Sequence, residues 1–272
     1  MKIGLISLGC AKNLVDSEHM LARLRDAGHT IVEEMAEAEV AIINTCGFIE
    51  SAKQEAINTI LEVAQWKTEG TLRGLVVTGC LAQRYPAEIL ESLPEVDVIC
   101  GTGSYTDIVE AVEAAAQGER PQYLADPATA VLEGKRERLT PGYTAYLKIA
   151  EGCSNRCAYC IIPKLRGKYR SRPMESLLEE ARELAEAGVQ ELIVIAQDIT
   201  KYGVDLYGKR GLADLLRELC KLDFHWIRLH YLYPDQITEE LIDVIAEQDK
   251  IVNYLDIPLQ HVAPRILYRG LF

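Results

Sequence analysis

Apolar runs alternate with amphipathic stretches along this chain, and the alternation is interrupted once. In the first part, residues 2–8, 40–44, 75–78 and 96–99 read as strands. Between the first two, Met20, Leu21, Leu24 and Ala27 mark one helical face, with Gly28 as the C-terminal cap. This order predicts a parallel sheet covered by helices. From Gly118 to Pro141 the periodicity fades, and Pro121, Pro127, Gly134 and Pro141 punctuate it. Residues 119–141 are therefore expected to link an N-terminal domain, 1–118, to a second domain, 142–272.

From Tyr143 onward strand and helix alternate again. Strands are expected at 145–150, 191–196, 226–231 and 254–257. Leu177, Leu178, Ala181, Leu184 and Ala185 form one helical stripe, and Leu241, Ile242, Ile245 and Ala246 another. Repeated β/α units joined by right-handed crossovers curl toward a barrel, although the alternation alone allows an open sheet equally. The expected class is α/β in both domains.

Composition narrows the picture. A chain of 272 residues with 49% hydrophobic and 26% charged residues is an ordinary globular protein with room for two cores. No apolar stretch approaches the roughly 20 residues that span a bilayer, so no membrane partner is expected. The N-terminus reads as a strand and lacks the long apolar core of a signal peptide. Eight cysteines without an export signal point to a reducing cytoplasm, where they serve as ligands or catalytic groups more often than as disulfides. The balance of 29 basic against 41 acidic residues gives −12 and disfavours a polyanionic partner. Nucleic acid is expected to bind weakly or only indirectly.

The densest chemistry lies at Cys153-Ser154-Asn155-Arg156-Cys157-Ala158-Tyr159-Cys160, directly after the apolar run 145–150. Three thiolates on one loop can hold three irons of a cubic iron–sulfur cluster and leave the fourth iron open. A zinc site would want two closely spaced cysteine pairs or another ligand nearby. The loop resembles the signature of the radical S-adenosylmethionine (SAM) superfamily, with Tyr159 in its aromatic place. That resemblance implies a 4Fe–4S cluster whose open iron chelates SAM, and a partial β/α barrel around it.

Three further cysteines each stand just beyond a predicted strand: Cys10, Cys46 and Cys80. In an open parallel sheet such ends converge on one crevice, where ligands bind. Gly9, Gly47 and Gly79 would permit close backbone approach there. These residues are either a second cluster site or three unrelated buried thiols. The stretches Ser7-Leu8-Gly9-Cys10-Ala11-Lys12-Asn13-Leu14-Val15-Asp16-Ser17-Glu18, Asn44-Thr45-Cys46-Gly47 and Thr78-Gly79-Cys80-Leu81 resemble the N-terminal domain of the methylthiotransferases within that superfamily. The first stretch is closer to the ribosomal-protein branch of the family than to its transfer-RNA branch. So are Ile161-Ile162-Pro163-Lys164-Leu165-Arg166-Gly167 and Ile195-Ala196-Gln197-Asp198-Ile199-Thr200.

The resemblance implies that Cys10, Cys46 and Cys80 hold an auxiliary 4Fe–4S cluster. It further implies methylthiolation of an aspartate β-carbon in ribosomal protein uS12, with electrons from a donor such as flavodoxin or ferredoxin. Adenosine in transfer RNA is the alternative substrate, and a non-enzymatic electron carrier or binding module is the alternative class. The family also implies about two more β/α units and a small β-rich domain, so the second domain is expected to be C-terminally incomplete.

Other features carry several readings. Gly101-Thr102-Gly103-Ser104-Tyr105-Thr106 imitates a dinucleotide fingerprint, but Thr106 replaces its last glycine and a turn is expected. Cys100 and Cys220 sit among apolar neighbours and are expected in the core. Lys164, Arg166, Lys168, Arg170 and Arg172 form a basic run that suits a solvated loop, a carboxylate site or an RNA patch. Gln197, Asp198, Tyr231, Gln260 and His261 fall at predicted strand ends, where a barrel collects its functional groups. Tyr159, Arg166, Gln197 and Asp198 are the expected SAM contacts.

Overall fold

A computed structural model describes residues 1–259 and 261–267. The chain divides into two compact units: Met1–Glu137 together with Lys164–Arg166, and Arg138–Pro163 together with the chain from Gly167 onward.

The first unit contains strands β1 (Lys2–Ser7), β2 (Thr30–Val32), β3 (Val40–Thr45), β4 (Gly74–Gly79), β5 (Val98–Cys100) and β6 (Gln122–Tyr123). They form one sheet in the order β2-β1-β3-β4-β5-β6, with every neighbour parallel. Helices α1 (Ala11–Asp26), α2 (Glu50–Thr68), α3 (Cys80–Arg84), α4 (Pro86–Ser92) and α5 (Ile108–Ala116) supply the crossovers. All six residues of β3 and of β4 are buried, which explains their unbroken apolar runs. Ile43, Leu75 and Val77 pack with Ile60 and Val63 of α2 on one face; Ile42, Val76 and Val98 pack with Met20, Leu24, Ile108 and Val112 on the other.

The four strands expected in this region are present, flanked by two that the periodicity did not reveal. β2 and β6 are three- and two-residue edge strands, too short to carry a pattern. β6 lies within the stretch expected to be linker, and that stretch belongs to the first unit as far as Glu137. Gly28 has φ +86° just past α1, as its role in ending that helix requires. Ala27 is exposed, so the apolar face ends one turn earlier than its spacing suggested.

In the second unit β7 (Thr144–Lys148) is followed by β8 (Ala150–Glu151), the short helix α6 (Ile162–Arg166) and β9 (Arg170–Ser171). Next come α7 (Met174–Glu186), β10 (Glu191–Ile195), α8 (Val204–Tyr207), α9 (Leu212–Leu219), β11 (Trp226–His230), α10 (Glu239–Glu247), β12 (Ile251–Leu255) and α11 (Pro264–Leu267). The end of α6, Lys164–Arg166, counts with the first unit. Among the described residues β7, β10, β11 and β12 form a four-stranded parallel sheet in sequence order, as successive β/α units of a barrel would. Ala145, Leu147, Leu192, Val194, Ile227 and Leu229 share one core with Leu177, Leu184, Leu215, Leu216, Leu241 and Val244. The last strand lies at Ile251–Leu255, three residues before the predicted start, because Tyr254 and Leu255 are its exposed end. No described helix is long and apolar enough to cross a membrane.

Candidate functional site

Strand register assembles the first candidate site. Ser7 of β1, Asn44 of β3 and Thr78 of β4 lie side by side across the sheet. Cys10, Cys46 and Cys80 follow that line within three residues on each strand. The strand order reverses between β1 and β3, and sheets of this topology bind ligands outside the carboxyl ends at that point. Gly9 and Gly79 make the close approach possible. Both have φ near +90°, and a Cβ would stand 2.7 Å from Cys46 Cβ at Gly9 and 2.6 Å from the Thr45 carbonyl oxygen at Gly79.

The three sulfurs share one electrostatic neighbourhood and differ in exposure. Cys10 is exposed, Cys46 is half-buried and Cys80 is buried. Burial pushes the Cys80 thiol up to about 11; the Arg166 guanidinium opposes that rise, while Cys10 and Cys46 add to it. A bound metal would favour the thiolate outright.

Behind the sulfurs lies a buried polar network. Asn13, fully buried near the start of α1, donates Nδ2 to the Leu8 carbonyl at 3.2 Å and to the Thr45 carbonyl at 2.8 Å. Its Oδ1 faces Cys80 Sγ at 3.8 Å and accepts from Arg166 Nη2. Arg166 Nη1 donates to Asp16 Oδ2 at 2.6 Å. Asn44 Nδ2 donates to the Asn13 carbonyl at 2.8 Å and to Ser17 Oγ at 2.9 Å, and Ser17 donates to Ser7 at 2.9 Å. The network thus joins the end of β1, the start of α1 and the end of β3.

Sequence reasoning found the cysteines here and missed Asn13, Asp16 and Asn44 as site residues. The available signal was polarity where apolar residues belong. Lys12, Asn13, Asp16, Ser17 and Glu18 crowd the first turns of a helix that is buried nearly all round. Arg166 was expected among the SAM contacts; the structure places its guanidinium on Asp16 and Asn13, beside Cys80.

The second candidate site is local. Cys153, Cys157 and Cys160 follow β8 directly, and all three are half-buried. Gly152 turns the chain with φ +75°, and the Cys153 N–H donates to the Gly167 carbonyl at 3.1 Å. The Cys160 N–H donates to the Cys157 carbonyl at 3.0 Å. Burial pushes the Cys153 and Cys160 thiols upward, and the backbone N–H groups of Asn155 and Ile162 oppose it. The Tyr233 hydroxyl lies 3.7 Å from Cys157 Sγ.

Asn155 ties this loop to the end of β10. Its Nδ2 donates to Asp198 Oδ2 at 3.2 Å, and its Oδ1 accepts from Lys201 Nζ. Asp198, 1% exposed, also accepts from the Thr200 N–H at 3.1 Å and so caps the short turn Ile199–Lys201. Beneath the loop, buried Lys148 and Glu151 form an ion pair of 3.0 Å. Glu151 Oε1 also accepts from the Gly152 N–H at 3.1 Å and Gln197 Nε2 at 3.2 Å. Such saturation is what makes a buried pair tolerable. Neither Lys148 nor Glu151 was singled out from the sequence, although charges enclosing the apolar Ile149 and Ala150 were the signal.

The remaining expected residues are scattered. Tyr159 is exposed beside Cys157 and Cys160, whose charges add to burial in raising its phenol. Tyr231 stacks on His230 at 5.3 Å, and exposed His261 accepts the Ala263 N–H at 2.9 Å. Gln260 lies outside the described residues. The basic run disperses: Lys164 and Lys168 are exposed, while buried Arg172 pairs with Glu180 at 2.6 Å. The glycine-rich segment is a turn, with the Ser104 N–H on the Gly101 carbonyl at 3.1 Å. Cys100 is fully buried, and Cys220 packs against the core of the second unit.

Both triads present three soft donors of the kind that hold iron–sulfur clusters. Among the described residues, no three His, Cys, Asp or Glu side chains are close enough to hold a single metal ion. The ligands of a cubic cluster each bind a different iron, so a spacing too wide for one ion still suits a cluster.

Comparison with known proteins puts one family model over each triad. The family described as "Uncharacterized protein family UPF0004" matches residues 2–101, and the radical SAM superfamily matches residues 147–270. A relative from Lachnoclostridium phytofermentans, named ribosomal protein uS12 methylthiotransferase RimO, is 54% identical over 99% of this chain and 62% of its own length. One of the same name from Clostridioides difficile is 55% identical over 98% of this chain and 61% of its own. The chain therefore spans about three-fifths of the length of these relatives. Among solved structures, the radical SAM methyltransferase TsrM from Kitasatospora setae, with cobalamin and a [4Fe-4S] cluster bound, has a similar fold. Its TM-score is 0.67 at 17% identity, covering 98% of this chain and 62% of that one. With both family models matched in order, the chain carries a radical SAM domain at residues 147–270 and is similar over nearly its whole length to relatives named as methylthiotransferases.

Proposed function

We propose that this chain carries the two cluster sites of a radical SAM methylthiotransferase acting on the β-carbon of an aspartate in ribosomal protein uS12. The observation that carries the reading is the pair of cysteine triads, one just beyond the carboxyl ends of three parallel strands and one on the loop after β8, each with three thiols and, among the described residues, no fourth cysteine beside them. Cys153, Cys157 and Cys160 would hold a 4Fe–4S cluster with SAM, and Cys10, Cys46 and Cys80 an auxiliary cluster. When bound, these groups supply a radical that abstracts hydrogen from an unactivated carbon, a step no side-chain base can perform.

The chain's own residues prepare that chemistry. Asn155, held by Asp198 and Lys201, fixes the loop that carries the second triad. Glu151 receives the Gly152 N–H and so sets the turn into Cys153, while Lys148 balances its charge. Tyr159 and Gln197 would contact SAM at this loop, whereas Asp198 would act through Asn155. The net charge of −12 suits a basic ribosomal protein as substrate better than RNA. Such a substrate, and an electron donor of the flavodoxin or ferredoxin kind, place the reaction in the cytoplasm.

The test is anaerobic reconstitution with iron and sulfide, followed by reaction with SAM, a reductant and either uS12 or an anticodon stem-loop. The expected outcome is about eight irons per chain for two cubic clusters, release of 5′-deoxyadenosine, and methylthio-aspartate in uS12. Methylthiolated adenosine with unmodified uS12 would move the assignment to the transfer-RNA branch. Iron loading without 5′-deoxyadenosine would leave an electron carrier or binding module.

A further inference from the structure

Arg166 stands only six residues after Cys160 in the sequence, yet its guanidinium belongs to the other triad. It is 3% exposed, and its charge is fixed by Asp16, itself almost buried, at 2.6 Å. It also donates to Asn13 Oδ1, the oxygen that faces Cys80 Sγ at 3.8 Å. A buried arginine is costly unless it is paired and hydrogen-bonded, and one carboxylate satisfies only part of its planar fork of donors. The same guanidinium acts on the Cys80 thiol through its charge and a side-chain hydrogen bond.

We propose that Arg166 is a positioning residue of the Cys10/Cys46/Cys80 site, where Asp16 and Asn13 hold its positive charge against the thiolates and the cluster they bind. This rests on the two-cluster reading above and assigns Arg166 a place different from SAM binding. Physical consequences follow in two directions. A fixed positive charge stabilises the more negative, reduced state of a cluster, so removing it lowers the reduction potential. Removing Asp16's charge leaves the guanidinium less compensated and raises the potential. A residue that merely braces the fold gives no such pair of opposite signs.

The experiment uses the whole chain with Cys153, Cys157 and Cys160 replaced by Ala, so that the auxiliary site alone takes up iron. After anaerobic reconstitution, iron content, electron paramagnetic resonance and midpoint potential are read for this background and for added Arg166→Gln, Arg166→Lys and Asp16→Asn. Arg166→Gln is expected to make reduction about tenfold less favourable, about 59 mV lower for one electron. Arg166→Lys, which keeps the charge, should recover most of that loss, and Asp16→Asn should shift the potential upward. Where one variant does not fold, the sign of the shift in the other decides. Unchanged potentials, or shifts of the same sign for Arg166→Gln and Asp16→Asn, overturn the proposal. If the background itself takes up no iron, the two-cluster reading fails instead.

Discussion

The first triad is gathered from three strand ends spread over seventy residues, while the second is written into eight consecutive ones. Cys10, Cys46 and Cys80 meet only because β1, β3 and β4 align at Ser7, Asn44 and Thr78, and because Gly9 and Gly79 let the backbones close. A register slip of one residue would turn every side chain of a strand to the opposite face. Cys153, Cys157 and Cys160 need only the turn at Gly152 and the hold on Asn155. The first site therefore depends on global folding, and the second on local loop geometry supported from beneath. Their polar supports differ accordingly: a network across strand ends in one, and an ion pair within one strand–loop connection in the other.

Removing each triad gives the largest contrast. Replacing Cys153, Cys157 and Cys160 by Ala is expected to abolish SAM cleavage and remove one cluster's iron. Replacing Cys10, Cys46 and Cys80 should leave cleavage intact and stop methylthio transfer. Iron counting and 5′-deoxyadenosine release report both, and full iron content in either triple variant would end the comparison.

Next in size are the glycines. Gly79→Ala forces a side chain at φ +90° against the Thr45 carbonyl, and Gly152→Ala forces one at φ +75° within 2.6 Å of the Gly167 carbonyl. Each should cost about 2–5 kcal/mol. Denaturant unfolding should show Gly79→Ala destabilising the first unit as a whole. Gly152→Ala should chiefly impair iron loading at its own loop. Equal loss of iron from both triads in either variant would remove the distinction between global and local assembly.

The smallest expected difference lies between two asparagines. Asn13→Ala leaves the Leu8 and Thr45 carbonyls and part of Arg166 without a buried partner and should cost about 2–4 kcal/mol. Asn155→Ala, in a loop that is partly exposed, should cost about 1–2 kcal/mol and show mainly as faster loss of iron from the second triad. Melting curves of the metal-free proteins, with iron-release rates of the loaded ones, measure both. The reverse order would mean that the loop is the more deeply anchored site.

How much of this was legible depends on the range of the interaction. The β/α alternation is a periodic signal repeated over many residues, so the class and the principal strands followed from it. β2 and β6 escaped because an edge strand of two or three residues has no period to read. For the same reason 119–141 read as a linker, although β6 pairs with β5 by backbone hydrogen bonds that leave no mark on side-chain pattern.

What the sequence determined by itself was whatever short-range geometry controls: the contiguous cysteine loop, the glycine-ended helix and the strand-end position of three more cysteines. Tertiary structure alone decided which polar side chains support them. Nothing in the run from Lys164 to Arg172 separates Arg166 from its exposed neighbours, and only packing puts its charge on Asp16. Asn13 and Asp16 likewise read as ordinary polar positions of a helix until burial removes their water and leaves Arg166 and, for Asn13, strand-end carbonyls as partners. A long flexible side chain finds its partner through the fold as a whole, whereas three thiols on one loop are neighbours wherever that loop forms.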